Sequence, residues 1–208
     1  MAPFIYFSRE DERSFADVTE TDIGVDTKEF LEAATGVVRI IELLKSITFK
    51  PVLDDLNGNI TKVKTRYEAK PEKSATLEEL VRNEIAEGST TATQGLLWLT
   101  RGLMFTSGAL KACQADATLK LSEAFQSSYG DTLKPFHGFI VKGIFSAAMR
   151  VCPTRELLYE DLKKDQDGGP AATQEDLNER LNQWVDALER IVTRIDQFLE
   201  TNNYKKGL

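Results

Sequence analysis

Apolar residues in this chain recur at three- and four-residue intervals along most of its length, the period of a helix with one buried face. Phe30, Leu31, Ala34, Val37, Val38, Ile41 and Leu44 mark a first helix, capped by Asp26 or Thr27 and running to about Lys45. Pro51 suits the first turn of a second, which continues to about Ala69 on a stripe of Leu56, Ile60, Val63 and Tyr67. Thr76 and Glu79 have capping-box spacing for a short third helix, which Gly88 stops. Residues 90–114 carry Leu96, Leu97, Trp98, Leu99, Leu103 and Phe105 with Gly95, Gly102 and Gly108. So apolar and glycine-rich a helix is expected at the centre, packed on several sides. A fifth helix is predicted over 117–130, closed by Gly130. A sixth should open at Pro135 and run to about Cys152 before Pro153, and a seventh spans 154–164. Asp165 to Pro170 reads as a loop, and residues 174–202 form a last helix on Leu177, Leu181, Trp184, Leu188, Ile191, Ile195 and Phe198. No segment alternates as a strand does. The fold class is all-α, with about eight helices.

Residues 1–25 lack a clean period and read as an irregular, acidic N-terminal arm, pinned by Phe4, Tyr6 and Phe7. The chain has 208 residues and a net charge of −7. Seven acids against Arg9 and Arg13 give residues 1–26 a charge of −5, leaving −2 for the remainder. That balance excludes a general nucleic-acid binder and leaves a near-neutral body able to approach a membrane surface. Cys113 and Cys152 read as free, buried thiols of a reducing compartment. No run is long enough for a transmembrane helix, and Phe4-Ile5-Tyr6-Phe7 is too short for a signal sequence. The expectation is a soluble, cytoplasmic protein.

Candidate chemistry is sparse. With His137 as the only histidine, a multi-His metal site is excluded. No phosphate loop or nucleophile elbow is present, so neither a metal nor another cofactor is expected. Asp55, Asn59 and Lys62 share one helical face, and together they offer an acceptor, an amide and a cation suited to sugar hydroxyls. Taken alone, such a trio is most often a solvated helix face. Trp98 is either core or a platform on which a sugar ring stacks. Arg101, three residues on, needs a partner in so apolar a helix, and Asp55 is one candidate.

Together the runs Asp55-Leu-Asn-Gly-Asn59-Ile-Thr-Lys62-Val-Lys64, Leu97-Trp98-Leu-Thr-Arg101-Gly-Leu103 and Phe136-His137-Gly-Phe139-Ile-Val-Lys-Gly-Ile-Phe145, with the late Tyr204, resemble the glycolipid transfer protein family. The resemblance covers roughly residues 26–208, which it makes a single glycolipid transfer domain, and is nearest to the fungal heterokaryon-incompatibility members. It implies a monomeric two-layer sandwich of helices enclosing an apolar lipid pocket. Such a protein is a non-enzymatic carrier of glycosphingolipids, peripheral to membranes. Asp55, Asn59 and Lys62 would then bind the first sugar and the ceramide amide, and Trp98 would stack under that sugar. His137 would donate to the ceramide carbonyl, and Tyr204 would approach the headgroup. Ile40, Ile41, Val52, Phe105, Leu133 and Phe145 would line the chain pocket, two of them standing where animal members carry Phe. Phe139 would dock on the membrane in place of a family Trp. The double-Phe segment by which animal members bind an endoplasmic-reticulum adaptor is absent, so that partner is not implied. The rival readings are a ceramide-1-phosphate carrier of the same fold, a lipid sensor in signalling, and a glycosidase using Asp54, Asp55 or Glu84 as its carboxylate pair.

Overall fold

The computed structural model describes residues 13–164 and 170–207. Among these, eight α-helices are joined by short 3-10 turns, and the only β-type pairings are isolated bridges between Glu20 and Val25 and between Asp26 and Thr76. The helices are α1 (Thr27–Glu42), α2 (Lys50–Ala69), α3 (Leu77–Ala86), α4 (Thr91–Ala115), α5 (Leu121–Thr132), α6 (Phe139–Arg150), α7 (Arg155–Lys163) and α8 (Gln174–Thr201). The expected start signals hold. Asp26 accepts from the Glu29 amide at 2.9 Å, and Thr76 with Glu79 closes a reciprocal capping box.

Three boundaries differ from the sequence expectation. α1 stops at Glu42, and Lys45 beyond it takes a left-handed conformation (φ +50°). α5 starts later, at Leu121, and runs through Gly130 to Thr132. A glycine closes a helix by adopting positive φ, which Gly88 does (φ +79°) and Gly130 does not. Pro135 does not open α6. It lies in a separate 3-10 turn, Lys134–Phe136, after which His137 and Gly138 are extended and the helix starts at Phe139. That break turns His137 back toward α5.

The central role read for α4 is observed. It packs against α2, α5 and α8, while α1 covers α2, α6 covers α5 and α7 meets α8, in an all-α, layered arrangement. Close approach depends on missing side chains. A Cβ at Gly95 would meet Lys62 Cβ at 2.9 Å and the Asn59 carbonyl oxygen at 3.2 Å. Glu84, almost fully buried, serves the start of α4. Its carboxylate accepts from the Ala92 and Thr93 amides and from the Ser89 and Thr93 hydroxyls. A carboxylate here complements the positive end of the helix dipole.

The leading segment contributes more than its pattern suggested. Phe15 has no exposed surface and sits edge-on to Phe30 and Trp184, with ring centroids 6.1 and 5.5 Å away. Val18 and Val25 are buried beside it in the same core. Polar ties hold the segment down: Arg13 pairs with Glu29 and Glu32, Glu20 with Arg190, and Glu78 accepts from the Val25 amide. Phe4, Tyr6 and Phe7, expected to pin this arm, lie outside the described residues.

Candidate functional site

Helices α2 and α4 and the turn before α6 enclose a surface cleft of about 350 Å³, lined by Asp55, Asn59, Lys62, Gln94, Trp98, Phe136, His137, Gly138 and Val141. Five of the six residues expected at a headgroup site converge there: Asp55, Asn59, Lys62, Trp98 and His137. The i, i+4, i+7 spacing of α2 accounts for the first three, and the Gly95 contact brings that face against α4. Tyr204 is not among the lining residues. It packs on Phe198, with centroids 5.6 Å apart, and its amide donates to the Leu199 carbonyl.

The polar groups are only partly satisfied by one another. Lys62 Nζ donates to Asn59 Oδ1 at 3.2 Å. Asn59 Nδ2, on a residue only 3% exposed, faces the Asp55 carboxylate and favours its charged form, without completing a full hydrogen bond there. A buried donor left incompletely satisfied costs up to about 1–3 kcal/mol, so an acceptor supplied from outside would be favourable here. Asp55 has an accessible surface, yet protein crowds its carboxylate. Desolvation raises its pKa, against the lowering effects of Asn59 and the Lys62 charge. A carboxylate serving a structural ion pair would be shifted down instead. Asp55 is not the partner of Arg101. That guanidinium lies over the Phe136 ring at 3.5 Å and near the Trp98 ring at 5.0 Å, and the acid that attracts it is Asp196. Stacking on two aromatic rings satisfies a cation in apolar surroundings without a carboxylate.

Trp98 is half-buried. His137 lies nearly parallel to it (15°) with centroids 5.8 Å apart, an offset stack, and Phe136 meets its edge. His137 Nδ1 is 3.1 Å from the Tyr129 hydroxyl. Burial, with Lys142 and Arg101 nearby, lowers the His137 pKa, so the ring is neutral at pH 7. In the tautomer in which Tyr129 donates to Nδ1, the proton is on Nε2 and that nitrogen is free to donate. Tyr129 escaped the sequence reading. Its signal was a tyrosine four residues after Phe125, on the face of α5 that also carries Leu121, where a hydroxyl that is buried must find a partner.

Behind the cleft the aromatic contacts lead inward. His137 touches Phe145 (4.7 Å), Phe145 touches Phe105 (6.2 Å), and Phe105 reaches Phe125 (5.2 Å). Ile40, Ile41, Val52, Phe105, Leu133 and Phe145 are all buried, none more than 5% exposed, and belong to the main core. Outside the cleft the surface is apolar. Phe139 is 92% exposed and does not pack inward, Ile140 accompanies it, and Phe136 and Val141 at the cleft rim continue the patch. Ile47 is also exposed, on a turn that packs against α6. Only Phe139 of this group was expected. Three successive apolar residues, Phe139-Ile140-Val141, were the available signal, since one helix face cannot hide all three.

Two of the rival carboxylates have other partners. Glu84 is buried as the α4 cap, and Asp54 is held by Lys50 at 2.7 Å. Cys113 and Cys152 are free thiols, and burial pushes Cys152 up to about 12. No helix among the described residues is long and apolar enough to cross a membrane.

Residues 25–164 match the family model described as glycolipid transfer protein (GLTP). The chain belongs to the glycolipid transfer protein family. A glycolipid transfer protein of Aureobasidium melanogenum is 40% identical over 193 residues, covering 93% of this chain and 92% of the relative. The crystal structure of HET-C2, a fungal glycolipid transfer protein, superposes with a TM-score of 0.83 at 41% identity, covering 91% of this chain and 94% of its own. The structure that describes how FAPP2 selects simple glycosphingolipids with the GLTP fold superposes at 0.84 with 30% identity, covering 95% and 96%. Within the family, the cleft occupies the run Asp55 to Lys62 that carried the resemblance.

Proposed function

We propose that this protein carries simple neutral glycosphingolipids between membranes without covalent chemistry. The observation that carries this reading is the convergence in one cleft of a desolvated carboxylate, a buried and incompletely satisfied amide, an ammonium and an indole. Asp55 accepts the ceramide N–H and a sugar hydroxyl. Asn59 Nδ2 and Lys62 donate to sugar oxygens, Trp98 packs under the ring, and His137 Nε2–H donates to the ceramide carbonyl. A glycerolipid ester has no N–H for Asp55, so that acceptor would lose its bond. A phosphate dianion would meet one ammonium faced by a carboxylate, where two or more cations would be needed to favour it. Tyr204 approaches the headgroup only if the C-terminal segment shifts from Phe198.

The lipid chains enter between the helices that carry Ile40, Ile41, Val52, Phe105, Leu133 and Phe145. Protein interiors are close-packed, so these side chains must part to admit them. The gain is large. Burying a methylene contributes about 0.8 kcal/mol, so a sixteen-carbon chain in water costs on the order of 12 kcal/mol. A carrier that opens at the membrane removes most of that cost. Vesicle-to-vesicle transfer tests the reading with glucosylceramide, ceramide-1-phosphate and phosphatidylcholine. Glucosylceramide should move much faster than the other two, and equal rates for all three would sink the idea.

Phe139 serves membrane docking, with Ile140, Phe136 and Ile47 extending the apolar rim, and the protein acts as a peripheral cytoplasmic monomer. Phe139→Ala should weaken adsorption to vesicles in co-sedimentation and leave urea stability within roughly 0.5 kcal/mol of wild type. Phe139→Trp should strengthen adsorption, because indole favours the headgroup layer. Undiminished adsorption of a stable Phe139→Ala protein would count against this role.

A further inference from the structure

Gln94 lines the cleft, yet nothing above gives it a role. It stands one turn before Trp98 on α4, so both side chains share a face. It is half-buried, and its side-chain amide has no hydrogen-bond partner among the described residues. Its level in the cleft follows from how α2 and α4 cross. A Cβ at Gly95 would meet Lys62, whereas one at Gly102 would meet Leu56 at 3.0 Å, so the two helices run antiparallel along the cleft. Gln94 is therefore level with Lys62, and the lower end belongs to Asp55. At 1.5 Å per residue, Asp55 and Lys62 stand about 10 Å apart along their helix, and Gln94 lies about 6 Å beyond Trp98. One hexose ring fits within that distance. His137 stacks on Trp98 and touches Phe145 behind it.

We propose that Gln94 reads the outer edge of the headgroup sugar and so sets which hexosylceramides are carried. This inference rests on the carrier reading. With Asp55 and His137 holding the amide, and Trp98 and Asn59 the ring, the edge facing Gln94 and Lys62 is the one farthest from the ceramide. That edge bears the vicinal hydroxyls whose configuration separates glucose from galactose. A primary amide donates through its nitrogen and accepts through its oxygen, so it can engage two neighbouring hydroxyls at once. Its plane makes the fit sensitive to whether the pair is cis or trans. Lys62, with donors only, offers no such distinction.

The test uses the full chain and its Gln94→Leu and Gln94→Glu variants. Transfer rates are measured for glucosylceramide, galactosylceramide and sugar-free ceramide, with thermal melting as the control for folding. Losing the hydrogen bonds of one amide should slow the preferred hexosylceramide about tenfold in Gln94→Leu. The glucosyl-to-galactosyl ratio should change in both variants, while ceramide transfer and melting stay at wild-type levels. An unchanged ratio in both variants, or an equal loss for ceramide, would overturn the role of Gln94 and leave the carrier reading standing. A wild-type protein that moves neither hexosylceramide faster than phosphatidylcholine would overturn both.

Discussion

Asp55→Val is expected to abolish glycolipid transfer while leaving the protein folded and at least as stable as wild type. The loss follows from chemistry that no neighbour can supply. Among the cleft-lining side chains, the Asp55 carboxylate is the only purely acceptor group, and it would hold an amide N–H and a sugar hydroxyl together. Hydrogen bonds to a charged group are worth about 1.5–3 kcal/mol each, so losing two reduces transfer by more than about a hundredfold. The stability expectation follows from the direction of the pKa. Burial raises Asp55 in the folded protein, so its ionised form is disfavoured there relative to the unfolded chain. Above the folded pKa the carboxylate is a net cost, which falls away as the pH drops through that value. Removing it takes away a burial cost that its interactions with Asn59 and Lys62 only partly offset, and Arg101 depends on Phe136 and Trp98 and not on Asp55. Circular-dichroism melts beside vesicle transfer separate the outcomes. A folded Asp55→Val protein with full activity would falsify the headgroup assignment, and an early-melting one would return Asp55 to a structural role.

Phe15→Ala should destabilise the fold by about 3–5 kcal/mol, the usual cost of deleting a fully buried aromatic ring. That is a large share of the 5–15 kcal/mol that holds a typical domain together. Phe15 fills the space between Phe30 of α1 and Trp184 of α8, and the edge-on geometry adds to the area it buries. Its backbone position is set by Ser14, which accepts from the Ala16 amide and starts the 3-10 turn. With the ring gone, Arg13, Glu20 and the Val25 amide would lose the anchor that presents them to their partners on α1, α8 and α3. Urea denaturation gives the number. A loss below about 1 kcal/mol would mean that this segment only covers the core rather than completing it.

Most helices were legible in the residues because their signals are local. The stripe on α1, the capping box of α3 and the glycine-rich, apolar α4 each depend on neighbours within one or two turns. Two of the misplaced boundaries have a common cause. Gly130 and Pro135 are ambiguous punctuation, and only the surrounding packing decides whether a glycine takes positive φ or a proline starts a helix. Phe15 went unread because a single buried ring in a short turn has no period. The candidate site was half legible. Asp55, Asn59 and Lys62 could be placed on one face by counting, and the family resemblance added Trp98 and His137.

What lay in the residues themselves was the helical class, the shared face of α2, and the chemical character of the groups available for a sugar. Tertiary structure alone decided where those groups meet. The missing Cβ at Gly95 lets α2 close on α4, and the extended pair His137-Gly138 folds the imidazole back between Trp98 and Tyr129. It also decided the state of each group. Arg101 found two aromatic faces instead of a carboxylate, Glu84 became a buried helix cap, and Asn59 kept a donor that Asp55 meets only in part. Helix formation is set by contacts a few residues apart. Desolvation, stacking and an unmet hydrogen bond are set by atoms far apart in the chain, and no local pattern records them.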